Sequence, residues 1–123
     1  MSETTRLEDT ILGMNFDGRD LETLSKLLIQ KPVPGKIRRS GSSARDVVYV
    51  ASGAYDAFID IGDVITAESF LASLSIVLEA GGVISDLHGK NLHAIANLTE
   101  GFSLVVAGTP QLHQEILTKI NGR

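Results

Sequence analysis

Hydrophobic and polar positions along the chain follow two different periods, one typical of strands and one typical of helices. Short apolar runs predict strands at Ile11–Met14, Ala57–Ile61, Gly82–Leu87 and Phe102–Gly108, and Lys36–Arg39 is a further candidate for a short strand. Patterns of helical period lie between them. Strands that alternate with helices in this way predict an α/β fold in which helices cover a central sheet.

The first two predicted helices have recognisable starts and stops. One follows Asp20, a candidate N-cap, and closes before Pro32, because a proline disfavours helical geometry in the residue before it. The other begins at Ser42 or Ser43 and stops at Gly53. Their apolar faces are Leu21, Leu24, Leu27 and Leu28 in the first helix, and Ala44, Val47, Val48 and Ala51 in the second.

The last two helices are predicted with similar clarity. The third covers Thr66–Ala80, and it carries large apolar residues on one side and small ones on the other, so we expect it to be buried on more than one face. The fourth is capped by Thr109, with Pro110 at its first position. Its apolar face consists of Leu112, Ile116 and Ile120.

Composition and charge narrow the class of protein. The 123 residues predict one domain, 1–123, with 43% hydrophobic and 21% charged residues. The net charge is −4, and the one basic cluster is short, so we expect no nucleic-acid partner. The members of this cluster are Lys31, Lys36, Arg38 and Arg39.

The absence of several sequence features excludes other classes. There is no cysteine, which rules out disulfides, thiolate metal sites and a cysteine nucleophile. The first residues are polar and acidic, unlike a signal peptide, and no apolar run approaches the roughly 18 residues of a membrane helix. We expect a cytoplasmic protein without a membrane partner.

One candidate anion site lies where a strand runs into the second helix, at Lys36–Asp46. The unpaired N–H groups and positive dipole of a helix N-terminus favour an anion there, and Arg38 and Arg39 are close in sequence. The alternative is an ordinary serine cap beside two solvated arginines.

A candidate metal site consists of the carboxylates Asp56, Asp60, Asp63 and Glu68. Mg²⁺ prefers such oxygen ligands, usually one or two of them together with water and phosphate. The alternative is solvation of a strand end and a favourable charge at a helix start.

The histidines and short motifs add no further site. His88, His93 and His113 lack metal-ligand spacing, so we expect them on the surface. The sequence has no G-x-S-x-G, no P-loop and no G-x-G-x-x-G.

Several segments, in order, resemble one family. "IRRSGSSARDVVYVASGAYDAFIDIG" (Ile37–Gly62) and "IVLEAGGVISDLHGK" (Ile76–Lys90) resemble the C-terminal half of the inositol monophosphatase and archaeal-type fructose-1,6-bisphosphatase family. The segments Thr5–Phe16 and Phe102–Leu117 fit the first strand and the closing strand and helix of that half. The resemblance implies a mostly parallel sheet of about five strands.

The resemblance also implies a chemistry and a set of site residues. The family are Mg²⁺-dependent phosphatases with chains about twice as long, in two domains of similar size. The metal motifs of the N-terminal half, a Glu-Glu pair and Asp-Pro-Ile/Leu-Asp-Gly-Thr, do not occur in this sequence. By position, Gly41, Ser42 and Ser43 match residues that border the sugar or inositol ring, and Asp60 matches the acid that hydrogen-bonds a ring hydroxyl.

The resemblance also implies that the chain lacks the single metal ligand that the family has in this half. Counted back from Glu79, the family's metal-binding aspartate falls on Ser69. A serine hydroxyl is a far poorer Mg²⁺ ligand than a carboxylate. Glu68 and Asp63 are weak candidates to replace it, and for Glu68 the reason is that one residue along a helix turns a side chain by roughly 100°. We therefore expect no catalytic residue and no bound cofactor in the chain alone, with Mg²⁺ present only beside a metal-binding partner half.

Three functions stay open at this point. The first is a non-catalytic homologue that binds a partner or a sugar- or inositol-phosphate-like ligand through Gly41–Ser43 and Asp60. The second is a subunit or fragment of a split phosphatase, acting on inositol-1-phosphate or fructose-1,6-bisphosphate, whose partner chain carries the metal site. The third is a scaffold domain without a ligand. A half-enzyme surface would be apolar, so we expect a homodimer or a separate phosphatase half to cover it.

Overall fold

The computed structural model describes residues 1–16, 21–40, 43–65, 67–89 and 102–122, without the side chains of 16, 21, 24, 43, 62–65, 67–72 and 102. After a short 3-10 turn at Leu7–Asp9, strands and helices alternate along most of the chain. The strands are β1 Ile11–Phe16, β2 Lys36–Arg38, β3 Ala57–Ile65, β4 Val83–Ser85 and β5 Phe102–Ala107. The helices are α1 Leu21–Leu28, α2 Ser43–Ser52, α3 Ala67–Glu79 and α4 Pro110–Asn121. The predicted α/β class is confirmed, and Asp20, the predicted first cap, lies outside the described residues.

The strands form one mixed sheet in the order β2-β1-β3-β5-β4. β1 pairs in parallel with both β2 and β3. β5 runs the other way, so its pairings with β3 and β4 are antiparallel. Within the described part of the chain, four of the five strands therefore share one direction, and β5 is the exception.

In the described part of the chain, two helices cover each face of the sheet. On one face, α1 and α4 pack on the alternate strand residues Leu12, Met14, Ala57, Ile59, Ile61, Val105 and Ala107. On the other face, α2 and α3 pack on the intervening residues Phe58, Leu104 and Val106. This alternation follows from the two-residue period of a strand, which sends successive side chains to opposite faces. Asn15 and Asp60 follow the same alternation to the α2–α3 face.

The connections from β1 and β3 leave the sheet on opposite sides. The chain after β1 enters α1 on one face, whereas the chain after β3 enters α3 on the other. A crevice forms at the carboxyl ends of two neighbouring parallel strands where the connections diverge, and ligands of α/β proteins bind at such points. In this chain that point lies at the end of the β1–β3 ladder, whose last pair is Phe16 and Ile61.

The ends of the helices follow local sequence signals. The Oγ1 atom of Thr109 accepts a hydrogen bond from the Leu112 N–H at 3.2 Å, so the predicted cap of α4 is confirmed. Gly81 has a φ of +91°, and Gly82 donates its N–H to the Val77 carbonyl at 3.0 Å, which closes α3 as predicted. No helix in the described ranges is both long enough and apolar enough to cross a membrane.

Three sequence expectations were wrong in detail. β3 continues to Ile65 instead of stopping at Ile61, because it pairs with β5 again beyond an irregularity. On α2, Val50 and Asp46 are buried while Val48 is 36% exposed, so the buried stripe is rotated from the predicted one. On α3, Ile76 and Leu78 are 46% and 47% exposed, so the described half of this helix buries one face only.

Candidate functional site at the ends of β1 and β3

A polar pair occupies the point where the connections of β1 and β3 diverge. Asn15 and Asp60 are register partners on the two parallel strands, one residue before the end of their ladder. The Asn15 Nδ2 atom donates a hydrogen bond to Asp60 Oδ2 at 3.0 Å. Asp60 is fully buried, whereas Asn15 is partly exposed. The structure thus holds the predicted ligand-binding carboxylate behind an amide that sequence reasoning did not single out.

The strand next to this pair is irregular. β3 and β5 pair at Asp60 and Leu104 and again at Ile65 and Phe102. Residues 61–64 of β3 thus stand opposite a single residue of β5, Ser103. Such bulges re-aim a strand and are common next to binding sites. Here the bulge begins directly after Asp60 and carries the chain toward α3.

The first turn of α2 contributes a buried carboxylate on the same face of the sheet. Asp46 is fully buried, and Ser40 and Tyr55 lie beside its carboxylate. Burial raises the pKa of Asp46, although these neighbours and Arg45 favour its charged form. Burial, and next the charge of Asp46, raises the pKa of Tyr55. Asp46 therefore lies between the segment before α2 and Tyr55, which is two residues before β3.

The predicted anion site is described only in part. Gly41 and Ser42 lie outside the described residues, and Ser43 is the first residue of α2, without a described side chain. Arg38 ends β2 and is exposed, and its charge offsets part of the rise in the pKa of the Tyr55 phenol that burial causes. Arg39 follows it on the exposed segment that leads to α2. The two arginines therefore stand on the segment that leads to the α2 N-terminus.

The four acidic residues of the predicted metal site, Asp56, Asp60, Asp63 and Glu68, lie in different parts of the structure. Asp56 anchors the N-terminal segment: its carboxylate accepts hydrogen bonds from the Ile11 N–H at 2.6 Å, from Thr4 Oγ1 at 3.0 Å and from Ser2 Oγ. The backbone positions of Asp63 in β3 and of Glu68 and Ser69 in α3 are described, but their side chains are not. Among the described residues, no group of three or more histidine or acidic side chains is arranged to hold a metal ion.

The histidines are not all on the surface. His88 is exposed, and His93 lies outside the described residues. His113, in contrast, is only 8% exposed, and its Nε2 atom is 2.7 Å from Ser85 Oγ. The Ser85 hydroxyl donates to the Asp86 carbonyl at 2.8 Å, so the imidazole donates to Ser85. The surface prediction for His113 was wrong, because Ser85 on the neighbouring strand supplies the partner that lets this side chain be buried.

A cavity of about 400 Å³ lies beside this histidine, lined by His88, Gly89, His113, Gln114, Leu117 and Asn121. It is built largely on α4, which packs on the face of the sheet opposite to Asp60. The Ser85 proton points to a carbonyl, so the Ser85–His113 pair is not arranged as an activated nucleophile. This cavity is therefore separate from the pair at the ends of β1 and β3.

Three residues of the candidate site escaped the sequence analysis. Asn15 lies just beyond the predicted strand Ile11–Met14, and neither Asp46 nor Tyr55 was singled out as a binding residue. Asn15 acquires its role from Asp60, which is 45 positions away in sequence, and Asp46 and Tyr55 acquire theirs from packing between α2 and the start of β3. A local signal was available in the polar Asn15 between the apolar Met14 and Phe16, which the predicted strand Ile11–Met14 stopped short of.

Comparison with known proteins matches this fold and nearly the full chain. The model of the "Inositol monophosphatase family" matches residues 3–122. The chain belongs to this family. A fructose-1,6-bisphosphatase/inositol-1-monophosphatase of Methanothermobacter thermautotrophicus is 40% identical over 116 residues, which cover 94% of this chain and 40% of that protein.

Solved structures of the family share the architecture. The extragenic suppressor protein suhB of Bartonella henselae has a TM-score of 0.77 at 27% identity, over 98% of this chain and 45% of that chain. SaIMPase-II with inositol monophosphate bound has a TM-score of 0.77 at 25% identity, over 95% of this chain and 43% of that chain. The chain thus spans less than half the length of the relatives it matches.

Proposed function

We propose that this member of the inositol monophosphatase family is a substrate-side half that recognises a phosphorylated sugar or inositol and does not hydrolyse it alone. The observation that carries the proposal is the Asn15–Asp60 pair at the divergence point of β1 and β3. Hydrogen-bonding side chains at such a crevice suit a ring with several hydroxyl groups. The cytoplasm is the compartment that we propose for it.

The donor set of the chain does not fit a Mg²⁺ ion of its own. The position that the family gives to a metal-binding aspartate is Ser69, whose hydroxyl is neutral. We therefore derive no hydrolytic step for this chain by itself. Its own residues account for binding and orientation, and we assign Mg²⁺ to a separate metal-binding half where one is present.

Charge supports a division of the ligand between two parts of the site. A phosphate carries negative charge and is repelled by a buried carboxylate, so it would not rest against Asp60. The start of α2, with Arg38 and Arg39 on its approach, is the more favourable place for the phosphate. The hydroxyl groups of the ring are then left for the Asn15–Asp60 end. The bound inositol monophosphate of SaIMPase-II supports this class of ligand.

Calorimetric titration of the purified chain with inositol-1-phosphate, inorganic phosphate and free inositol tests the proposal, together with a phosphate-release assay in Mg²⁺. We expect binding of the phosphorylated ligand and no release. Ser42→Asp should weaken phosphate-dependent thermal stabilisation, because it places a carboxylate at the α2 start. Phosphate release by the chain alone, or no binding of any ligand, would overturn the proposal.

A second candidate is a subunit of a split phosphatase. Its support is the relative named fructose-1,6-bisphosphatase/inositol-1-monophosphatase, to which the chain is 40% identical. The matched segment makes up 40% of the length of that relative. Mixing the chain with the separately expressed remainder of that relative tests it. Phosphate release that appears only in the mixture, and is lost with Asp60→Asn, would select the split enzyme.

A partner surface is also part of the proposal. Ile76 and Leu78 on α3 are about half exposed, which supports either a homodimer or a docked phosphatase half over a scaffold without partners. Light scattering after gel filtration distinguishes these. We expect a dimer for the chain alone, and Ile76→Asp combined with Leu78→Asp should yield a monomer. A monomeric wild-type chain would leave the docked half as the partner.

A further inference from the structure

The cavity on the α4 side of the molecule has two walls that are held together by defined contacts. One wall is the turn Asp86–Gly89, and the other is α4. The Nδ2 atom of Asn121 on α4 donates to the Leu87 carbonyl in the turn at 2.9 Å. Gly89 has a φ of +87°, and a Cβ atom there would come within 3.2 Å of Leu117 Cδ1. These walls border about 400 Å³, a volume typical of small-molecule sites.

His113 contributes a ring nitrogen with a free lone pair. This side chain lines the cavity and is only 8% exposed. Its Nε2 atom donates to Ser85 Oγ at 2.7 Å, because the Ser85 hydroxyl itself donates to the Asp86 carbonyl. Burial lowers the pKa of His113, so the ring is neutral near pH 7 and its second nitrogen, Nδ1, is an acceptor. Among the described residues this nitrogen has no hydrogen-bond partner.

Two carboxamides add acceptors of the same kind. The Nδ2 atom of Asn121 donates both to Leu87 and, at 3.0 Å, to the Leu117 carbonyl, so the oxygen is the atom that this side chain can offer a ligand. Gln114 donates through Nε2 to Thr118 Oγ1 at 3.3 Å, which likewise leaves its oxygen. No lysine or arginine is among the described residues that line the cavity.

The charges around the cavity favour a cation. Asn121 is the last residue of α4, and the carbonyl end of a helix carries a partial negative charge. Asp86, in the turn that forms one wall, adds a carboxylate that accepts a hydrogen bond from the His88 N–H at 2.8 Å. The basic side chains of α1 and α4, Lys26 and Lys119, donate to backbone carbonyls where these two helices meet.

We propose that this cavity is a second binding site, for a small organic ligand that carries a primary ammonium group. An ammonium has three N–H donors and no acceptor, which matches a lining whose unpartnered atoms are acceptors. A carboxylate or phosphate has the opposite character and is disfavoured. The cavity lies on the face of the sheet opposite to Asp60, so this proposal does not depend on the function proposed above.

Three ligands with the same four-carbon chain test the chemical class. Butane-1,4-diamine, butane-1,4-diol and succinate end in cationic donors, neutral hydroxyls and anionic acceptors, respectively. In NMR titrations at about 0.15 M salt, which screens general attraction to an acidic chain, we expect saturable binding of the diamine. The diol should bind at least about fivefold more weakly, and succinate should not bind. Equal binding of diamine and diol, or no saturable binding of the diamine, would overturn the proposal.

Gln114 allows the charge at the cavity to be changed in both directions, since its side chain is exposed. Gln114→Lys should raise the Kd of the diamine about fivefold, and Gln114→Glu should lower it by a similar factor. Gln30→Lys and Gln30→Glu are the matched controls, because they change the net charge equally at an exposed residue that does not line the cavity. They should leave the Kd within about twofold. Equal responses at the two positions would mean general attraction to the chain and would refute a site at this cavity.

The imidazole nitrogens of the wild-type chain give a readout that needs no substitution. Two-bond proton–nitrogen correlation spectra report which nitrogen of each histidine carries the proton. We expect His113 to be protonated at Nε2 only, and its Nδ1 resonance to move in step with diamine binding. An Nδ1 resonance that stays in place while the diamine binds, or a proton on Nδ1 before any ligand is added, would contradict the assignment.

Discussion

The ring of Tyr55 lies directly against Gly13. A Cβ atom at Gly13 would come within 2.6 Å of Tyr55 Cδ2 and Cε2, and within 3.2 Å of Phe58 Cδ1. The ring of Tyr49 meets that of Tyr55 edge-on, with centroids 5.1 Å apart. The glycine in β1 thus gives the Tyr55 ring its place on the sheet, from which Tyr55 reaches Asp46. A residue without a side chain in one strand thereby supports the polar network around α2.

Gly13→Ala should destabilise the fold by about 1–3 kcal/mol, the usual cost of overpacking a core, because the ring cannot leave without uncovering Phe58. Urea denaturation gives the free energy of unfolding. In a Tyr55→Leu background the same substitution should cost at least about 1 kcal/mol less, since the clash is gone. Equal costs in both backgrounds would show that the ring contact is not the cause.

The stability of the protein should depend on the charge of His113. Burial lowers the pKa of His113, so as the pH falls below about 6.5 the unfolded chain takes up a proton that the folded chain resists. The stability that the neutral His113 contributes is therefore complete above the pKa of the unfolded chain, and it is lost as the pH falls toward the lower pKa of the folded chain. Urea midpoints across this range should decline toward acid, and His113→Gln should reduce the decline. His88→Gln, at an exposed histidine, should leave the decline as it is in the wild type. A decline in His113→Gln as steep as that of the wild type would refute the assignment.

The charge of Asp46 should make stability change with pH in the opposite direction to that of His113. Its pKa is raised by burial, so the folded chain holds a proton at pH values where the unfolded chain has lost it. Stability is therefore lost as the pH rises from the unfolded value through the folded one. Asp46→Asn removes this penalty, so the stability of the variant relative to wild type should increase with pH over that window. Asp86→Asn, at a partly exposed turn, is the control, and a pH-independent difference for Asp46→Asn would contradict the prediction.

Asp56 should hold the N-terminal segment in place. Asp56→Ala removes the acceptor of the Ile11 N–H and of two hydroxyls, and we expect a loss of about 3 kcal/mol, since these are hydrogen bonds to a charged group and the donors are left unpaired. Hydrogen exchange of the Ile11 amide should accelerate beyond the global effect. Thr4→Val removes one of these bonds and should cost about 1 kcal/mol. Equal losses in the two variants would rule out the anchoring role.

Elements whose signals are local were predictable. The caps and stops of α4 and α3, the strands β1 and β5, and the apolar face of α4 all follow from residues that are neighbours in the chain. The family resemblance added the strand content and the position of Asp60. The buried stripe of α2 and the length of β3 could not be predicted in the same way, since α2 is rotated by its contacts with the sheet and β3 is extended by pairing with β5.

The sequence by itself determined the α/β class, the element order and the membership in the inositol monophosphatase family. The tertiary structure decided which polar groups meet: Asn15 with Asp60, Asp46 with Tyr55, and His113 with Ser85. The physical reason is range. Caps and periodicity act within a turn or a strand, whereas these contacts join residues up to 45 positions apart that only the strand order and helix packing bring together.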